Sequence, residues 1–166
     1  MAHSPIILVS LCLRGERCLY HGGQATFAIR LIRQLEAAGC TIWTACPEVL
    51  GGLSTPRPPC RRQGDRILAG GQDVTRFFER GRDLALEGLQ EKGGMPDVAV
   101  LLADSPACDP RTGVFGKALV QARVICIAAK RDNGWEQLLL DILAEWGISP
   151  VDTKRPPAVP GQLQIL

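Results

Sequence analysis

At 166 residues the chain has room for one domain of ordinary size, and with 46% hydrophobic and 22% charged residues it is neither a disordered, collagenous nor coiled-coil chain. Nineteen Lys and Arg against seventeen Asp and Glu leave a formal charge of +2, too small for the footprint of a protein that tracks long nucleic acid or an anionic membrane. The longest apolar runs, Val98 to Ala103 and Val124 to Ala129, fall far short of the roughly 18 to 20 residues that cross a bilayer, so no membrane span is expected.

The first apolar segment, Pro5 to Ser10, is short and partly β-branched, and reads as a buried strand running into a Gly- and Cys-containing loop, Leu11 to Gly23. From Gln24 to Ala38 the apolar residues fall mostly on one helical stripe, with Gly39 where a C-terminal cap belongs. Thr41 to Ala45 is a second strand. Cys46 to Gly71, rich in proline and glycine, is expected to be a long loop, of the kind more often functional than idle.

Asp73 is the expected N-cap of a helix that closes at Gly93 and Gly94. Asp97 to Ala103 is the most hydrophobic run, as befits a strand covered on both faces. A short helix over Gly116 to Ala122 and a strand over Val124 to Ala129 follow. Asn133 then caps a helix over Gly134 to Trp146. Residues 1–149 thus form a single domain, and the proline-rich stretch from Pro150 to Leu166 is expected to be an extended tail.

Strands alternating with helices predict an α/β fold: an open, mostly parallel sheet flanked by helices, with right-handed crossovers. Ligands in such sheets bind beyond the carboxyl ends of the strands. Cys12 lies just past the first strand, Cys46 directly after the second and Cys108 a few residues past the third, each near a loop-shaping residue: Gly15, Pro47 and Pro106. Parallel strands lie roughly 4.8 Å apart, so loops from neighbouring ends can bring three sulfurs to one metal centre. Cys40 and Cys126, beside or inside strands, read as small packing residues. Cys18 and Cys60 sit in loops near the same edge, where ligation, a redox step and no role all remain open.

The start of the chain has no basic region and no long apolar core followed by a cleavage site, so the cytosol is the expected compartment. Disulfides are rare there, which turns seven cysteines toward metal or thiol chemistry. Three thiolates suit a zinc ion with an open fourth position, or a cubane iron–sulfur cluster with one iron free of protein ligands. Spacing alone leaves both open. A phosphatase loop fails by one residue, since Cys18 stands where its arginine would belong, and CxxC, Walker and GxGxxG patterns are absent.

Three segments together are similar to a known family. SLCLRGERCLYHGG (10–23), CPEVLGGLSTPRPPC (46–60) and DSPACD (104–109), with GQDVTRFFERG (71–81) between them, resemble the thiouracil desulfidases over roughly residues 5 to 130. The resemblance implies a Rossmann-like α/β fold carrying a [4Fe-4S] cluster on three cysteines that fall on Cys12, Cys46 and Cys108. It further implies removal of sulfur from a thiocarbonyl, leaving the oxo form of the base and sulfide, with no net redox change. Glu48 matches the family's CPE motif and Ser105 its SPxC motif, and both are implied in proton handling. Arg57 is expected to orient Glu48 or an anionic ligand, or to stabilise its loop, and His21 to be a loop histidine without a catalytic role. The chain departs from the family at Asp109, where Gly is usual.

The expected substrate is a small 2-thiouracil-like base or nucleoside. Thiolated tRNA would call for basic surface, and Arg57, Arg61, Arg62 and Arg66 are its only candidate cluster, more simply read as solvated loop charge. The alternative to an enzyme is an accessory protein that holds zinc or a cluster, or carries sulfur, without turnover.

Overall fold

The structure, a computed structural model, describes residues 4–152, and the expected tail lies outside them from residue 153 onward. Four parallel strands, β1 (Ile6–Ser10), β2 (Thr41–Ala45), β6 (Val98–Leu102) and β7 (Ile125–Ala129), form one sheet in the order β2-β1-β6-β7. Alternation along the strands divides the core in two. Ile7, Val9, Val98 and Val100 pack under α1 (Ile29–Ala37) and α5 (Trp135–Glu145). Leu8, Ala99 and Leu101 face the other way, under α3 (Thr75–Glu91) and α4 (Val114–Gln121). Successive side chains of a strand point to opposite faces, so a run such as VAVLL supplies both layers at once.

Three expectations are corrected. The first helix begins at Ile29 rather than Gln24, because the Ala25 N–H is taken by the Cys12 carbonyl at 3.1 Å, holding the preceding residues against the loop after β1. The stretch from Cys46 to Gly71 is not loop throughout. It opens with one turn of helix, α2 (Pro47–Leu50), and continues into an antiparallel hairpin of β3 (Cys60–Gln63) and β4 (Arg66–Ala69), to which β5 (Gln72–Asp73) adds a third strand. Gly64 and Asp65 form the two-residue turn, Gly64 at φ +60°, and a Gly-Asp pair between short strands is a hairpin signal. The N–H of Thr75 donates to Asp73 Oδ1 at 3.0 Å, so Asp73 tethers the start of α3 from β5, one residue outside its expected capping position.

Glycines set how closely α2 sits on α3. A Cβ at Gly81, within α3, would lie 1.8 Å from the Pro47 carbonyl oxygen, and one at Gly51 would lie 1.9 Å from that of Phe77. Glycine inside a helix costs about 1 kcal/mol relative to alanine, so this contact is what its position serves. In Gly81→Ala the obstacle is backbone, which cannot rotate away, and overpacking of this kind costs about 1 to 3 kcal/mol beyond the recovered helix propensity. We expect the melting temperature to fall by about 4 to 8 °C, from a net loss of about 2 kcal/mol. An unchanged melting curve would show that α2 moves freely on α3.

Candidate active site

β1 ends at Ser10 and enters a single 3-10 turn, Leu11–Arg14, closed by Gly15 in the left-handed conformation, φ +101°, whose N–H donates to the Cys12 carbonyl. Cys46 follows β2 without a spacer and Pro47 starts α2, a position where its missing N–H costs nothing. After β6, Ser105 makes a tight turn in which its Oγ accepts the N–H groups of Ala107 at 3.2 Å and Cys108 at 3.0 Å. These three loops meet over β1 and β6, where the chain, having stepped from β1 to β2 on one side, resumes on the other. That reversal is the crevice at which open α/β sheets bind ligands.

A pocket of about 240 Å³ occupies the crevice, and Cys12, Cys46 and Cys108 line it together with Glu48 and Ser105. Every residue singled out from sequence as ligand or proton carrier therefore reaches one cavity. Cys18 and Cys60 line it too, whereas Cys40 and Cys126 lie elsewhere in the packed layers. All seven cysteines are free thiols.

Contact between thiols and burial favour the neutral form of Cys18, Cys46 and Cys108. Interaction with the Cys12 thiol, together with burial, pushes Cys18 up to about 12 against a weaker lowering influence of Cys46. Contact with Cys18, then burial and the charge of Glu48, raise Cys46 as well. Burial is the main cause that takes Cys108 to about 12, followed by Cys46 and Glu48, while hydrogen bonds from the Ser10 and Ser105 hydroxyls act in the opposite direction. A cation entering such a set displaces protons as it binds.

The donor set fits a soft metal centre. Five sulfurs at one pocket are the ligands that iron–sulfur clusters and zinc select. Among the described residues, however, no three His, Cys, Asp or Glu side chains converge closely enough for a single ion. A mononuclear zinc needs its thiolates about 2.3 Å from one point, whereas a cubane distributes its cysteines over separate irons and accepts a wider spread.

Glu48 and Arg57 form the polar part of the site, with side chains 12% and 5% exposed. The Arg57 Nε donates to Glu48 Oε2 at 2.9 Å and its Nη2 donates to the same oxygen. Its remaining N–H groups go to the carbonyls of Ser54 and Cys18 and to Thr55 Oγ1. A guanidinium has five donors and all are spent, so Arg57 orients Glu48 and ties its loop together but holds no anion. Glu48 Oε1 makes no hydrogen bond to the described residues and, since none of their unpartnered side-chain oxygens is buried, it is accessible from the pocket. Arg57 is thus buried apart from Arg61, Arg62 and Arg66 on the exposed hairpin, where Arg62 donates to the Thr112 carbonyl and Arg66 lies 3.8 Å from Asp73.

Sequence reasoning passed over Ser10 and the structural use of Asp109. Ser10 Oγ accepts the Leu102 N–H at 2.9 Å and turns its own hydrogen toward Cys108, joining β1, β6 and one thiol. The signal was a hydroxyl at the end of an apolar run, a buried polar group that has to be partnered. Asp109 is 1% exposed and its carboxylate accepts the N–H groups of Asp104, Arg111 and Thr112 at 2.8, 2.8 and 3.2 Å. Burial alone would raise its pKa, yet these bonds hold it below the ordinary carboxylate value. Below that loop, Gly113 and Gly116 let α4 approach: a Cβ at Gly116 would lie 2.3 Å from the Cys108 carbonyl oxygen. Asp109→Ala strands three N–H groups and is expected to cost about 3 kcal/mol, read as a lower denaturation midpoint. A loss under about 0.5 kcal/mol, the ordinary range for a surface change, would mean that water replaces the carboxylate freely.

Comparison with known proteins decides the family. A family model for 2-thiouracil desulfurases matches residues 7–130, a span that runs from β1 to the end of β7 and takes in all five pocket cysteines. The chain belongs to the 2-thiouracil desulfurase family. An uncharacterized relative, YbbK of Bacillus subtilis (strain 168), is 35% identical over 156 residues, covering 83% of this chain and 100% of the relative. A solved structure, the [4Fe-4S]-dependent thiouracil desulfidase TudS, superposes with a TM-score of 0.67 at 32% identity, over 84% of this chain and 99% of the other. As a 2-thiouracil desulfurase family member the chain thus carries the α/β fold expected from its sequence. None of its described helices is long and apolar enough to cross a membrane.

Proposed function

We propose that this protein hydrolyses the carbon–sulfur bond of a thiolated pyrimidine, a 2-thiouracil-like base or nucleoside, giving the oxo form and sulfide without net redox change. Cys12, Cys46 and Cys108 would hold a [4Fe-4S] cluster. The observation that carries the reading is the meeting of these three thiols with an accessible carboxylate oxygen of Glu48 in one pocket, in a member of the 2-thiouracil desulfurase family. Similarity to a [4Fe-4S]-dependent thiouracil desulfidase supports it.

When bound, the cluster supplies a thiophilic Lewis acid that polarises the C=S bond toward attack at carbon. Glu48 handles the protons. Its Oε1 takes a proton from the water that adds to the thiocarbonyl carbon and returns it as sulfur departs, so that water and thiocarbonyl give carbonyl and hydrogen sulfide. Arg57, spread across Oε2 and three loop acceptors, keeps that oxygen aimed into the pocket. Ser105 fixes the turn that presents Cys108 and offers its hydroxyl hydrogen toward the site.

The deciding experiment purifies and reconstitutes the protein without oxygen and measures iron, acid-labile sulfide and zinc per chain, then uracil and sulfide formed from 2-thiouracil. A cubane requires about four irons and four sulfides, and uracil and sulfide should appear in equal amounts. A loaded cluster with no turnover would make the protein a holder or carrier. Zinc alone would remove the desulfidase reading.

A further inference from the structure

Backbone pairing of β1 with β6 ends at Val9 and Val100, while β6 continues along β7 as far as Leu102 and Ala129. A side chain takes over where β1 leaves the ladder: the Leu102 N–H donates to Ser10 Oγ at 2.9 Å. Ser10 lines the pocket and is nevertheless 2% exposed. Its hydroxyl is therefore fixed by a strand on one side and shielded from bulk water.

A serine hydroxyl has one hydrogen to give. With the Ser10 oxygen anchored by Leu102, that hydrogen goes to the Cys108 sulfur. Ser105 approaches the same sulfur from its own turn, because its Oγ accepts the N–H groups of Ala107 and Cys108 and leaves its hydrogen for the thiol. Cys46, by contrast, meets the backbone N–H of Val49. Cys108 thus stands between two hydroxyls, one from its own turn and one from β1, far away in the chain. Two O–H donors aimed at one sulfur suit a thiolate better than a thiol, since hydrogen bonds to a charged acceptor are about twice as strong as neutral ones. Ser105 belongs to the loop that presents Cys108, whereas Ser10 has no part in the chemistry described above.

We propose that Ser10 is a positioning residue for the cluster, its hydroxyl donating to the Cys108 thiolate and drawing electron density away from the iron that this sulfur would hold. The inference rests on the ligand assignment made above. Hydrogen bonds to ligating sulfurs are among the levers by which a protein tunes an iron–sulfur centre. A sulfur that gives less density leaves iron a stronger acid toward a thiocarbonyl. The same bond stabilises the reduced, more negative state, so Ser10 raises the reduction potential although turnover itself moves no electrons.

The test compares wild type, Ser10→Ala and Ser10→Thr, each reconstituted without oxygen and matched in iron and sulfide content, by the reduction potential of the cluster and by kcat and KM for 2-thiouracil. Ser10→Ala should shift the potential to more negative values and lower kcat about tenfold with KM little changed, the lower end of what loss of such a partner costs. The three thiols remain, and one stranded Leu102 N–H is well within the stability of a domain, so the variant should fold and load. Ser10→Thr keeps the hydroxyl and has the pocket beside it for the added methyl, and should restore most of the potential and of kcat. A merely structural role for Ser10 would leave the potential unmoved at equal cluster content. An unchanged potential in Ser10→Ala, or a Ser10→Thr protein shifted as far as Ser10→Ala, overturns the proposal. The expected shifts in a protein whose wild type leaves 2-thiouracil intact would sink the catalytic reading and leave the role of Ser10 standing. Turnover by wild type with no shift in Ser10→Ala would do the reverse.

Discussion

Replacing Cys12, Cys46 or Cys108 singly by alanine should abolish the brown cluster absorbance and bring iron and sulfide to background, whereas Cys40→Ala and Cys126→Ala should retain them. The contrast follows from position. The first three lie at the carboxyl ends of β1, β2 and β6 and line the crevice, while Cys40 and Cys126 pack within the two core layers. Loss of one of three thiolates leaves a cubane with two uncapped irons, open to water and chelators. For Cys40 the expected penalty is that of a small buried hydrophobe, about 1 kcal/mol, too little to unfold the domain. Cys18→Ala separates ligation from adjacency: Cys18 touches Cys12 and Cys46, but the assigned set is complete without it, so the variant should keep its iron. Full iron content in the Cys46→Ala protein, or its loss in Cys126→Ala, would overturn the ligand assignment.

In Glu48→Gln the cluster should remain at wild-type content while turnover of 2-thiouracil drops at least about a hundredfold, the lower end of what general acid–base catalysis contributes. The amide keeps the size of the side chain and one oxygen for the Arg57 Nε and Nη2, so the loop has no reason to rearrange. What disappears is the basic Oε1. Arg57→Lys tests the orientation of the carboxylate. A lysine cannot reproduce the fork on Oε2 together with the bonds to Ser54, Thr55 and Cys18, and a decline in kcat of about tenfold is expected while Glu48 itself is present. Near-normal turnover in Glu48→Gln would remove the carboxylate from the mechanism.

The sheet was legible because its signals are local. Short β-branched runs at residues 5–10, 41–45, 97–103 and 124–129 correspond to strands within a residue or two of their ends, and the alternation VAVLL already contains both core layers. The hairpin was not. CRRQ and RILA are too short and too charged to stand out in a proline-rich stretch, and only pairing across the Gly64–Asp65 turn makes them strands. The early start given to α1 has the same origin, since capture of the Ala25 N–H by Cys12 is a long-range contact that helical periodicity does not encode.

At the site, residue type and position after a strand were enough to single out Cys12, Cys46 and Cys108, because a parallel sheet gathers those ends on one edge. The motifs added Glu48 and Ser105. Tertiary structure alone decided that Arg57 spends every donor within the protein, that Cys18 stands against two of the assigned ligands, and that Asp109 carries the loop presenting Cys108. Each of these depends on which backbone groups and thiols come within bonding distance once loops far apart in the chain are brought together. A sequence states what a side chain can donate or accept, and only the fold determines what is left for it to bond.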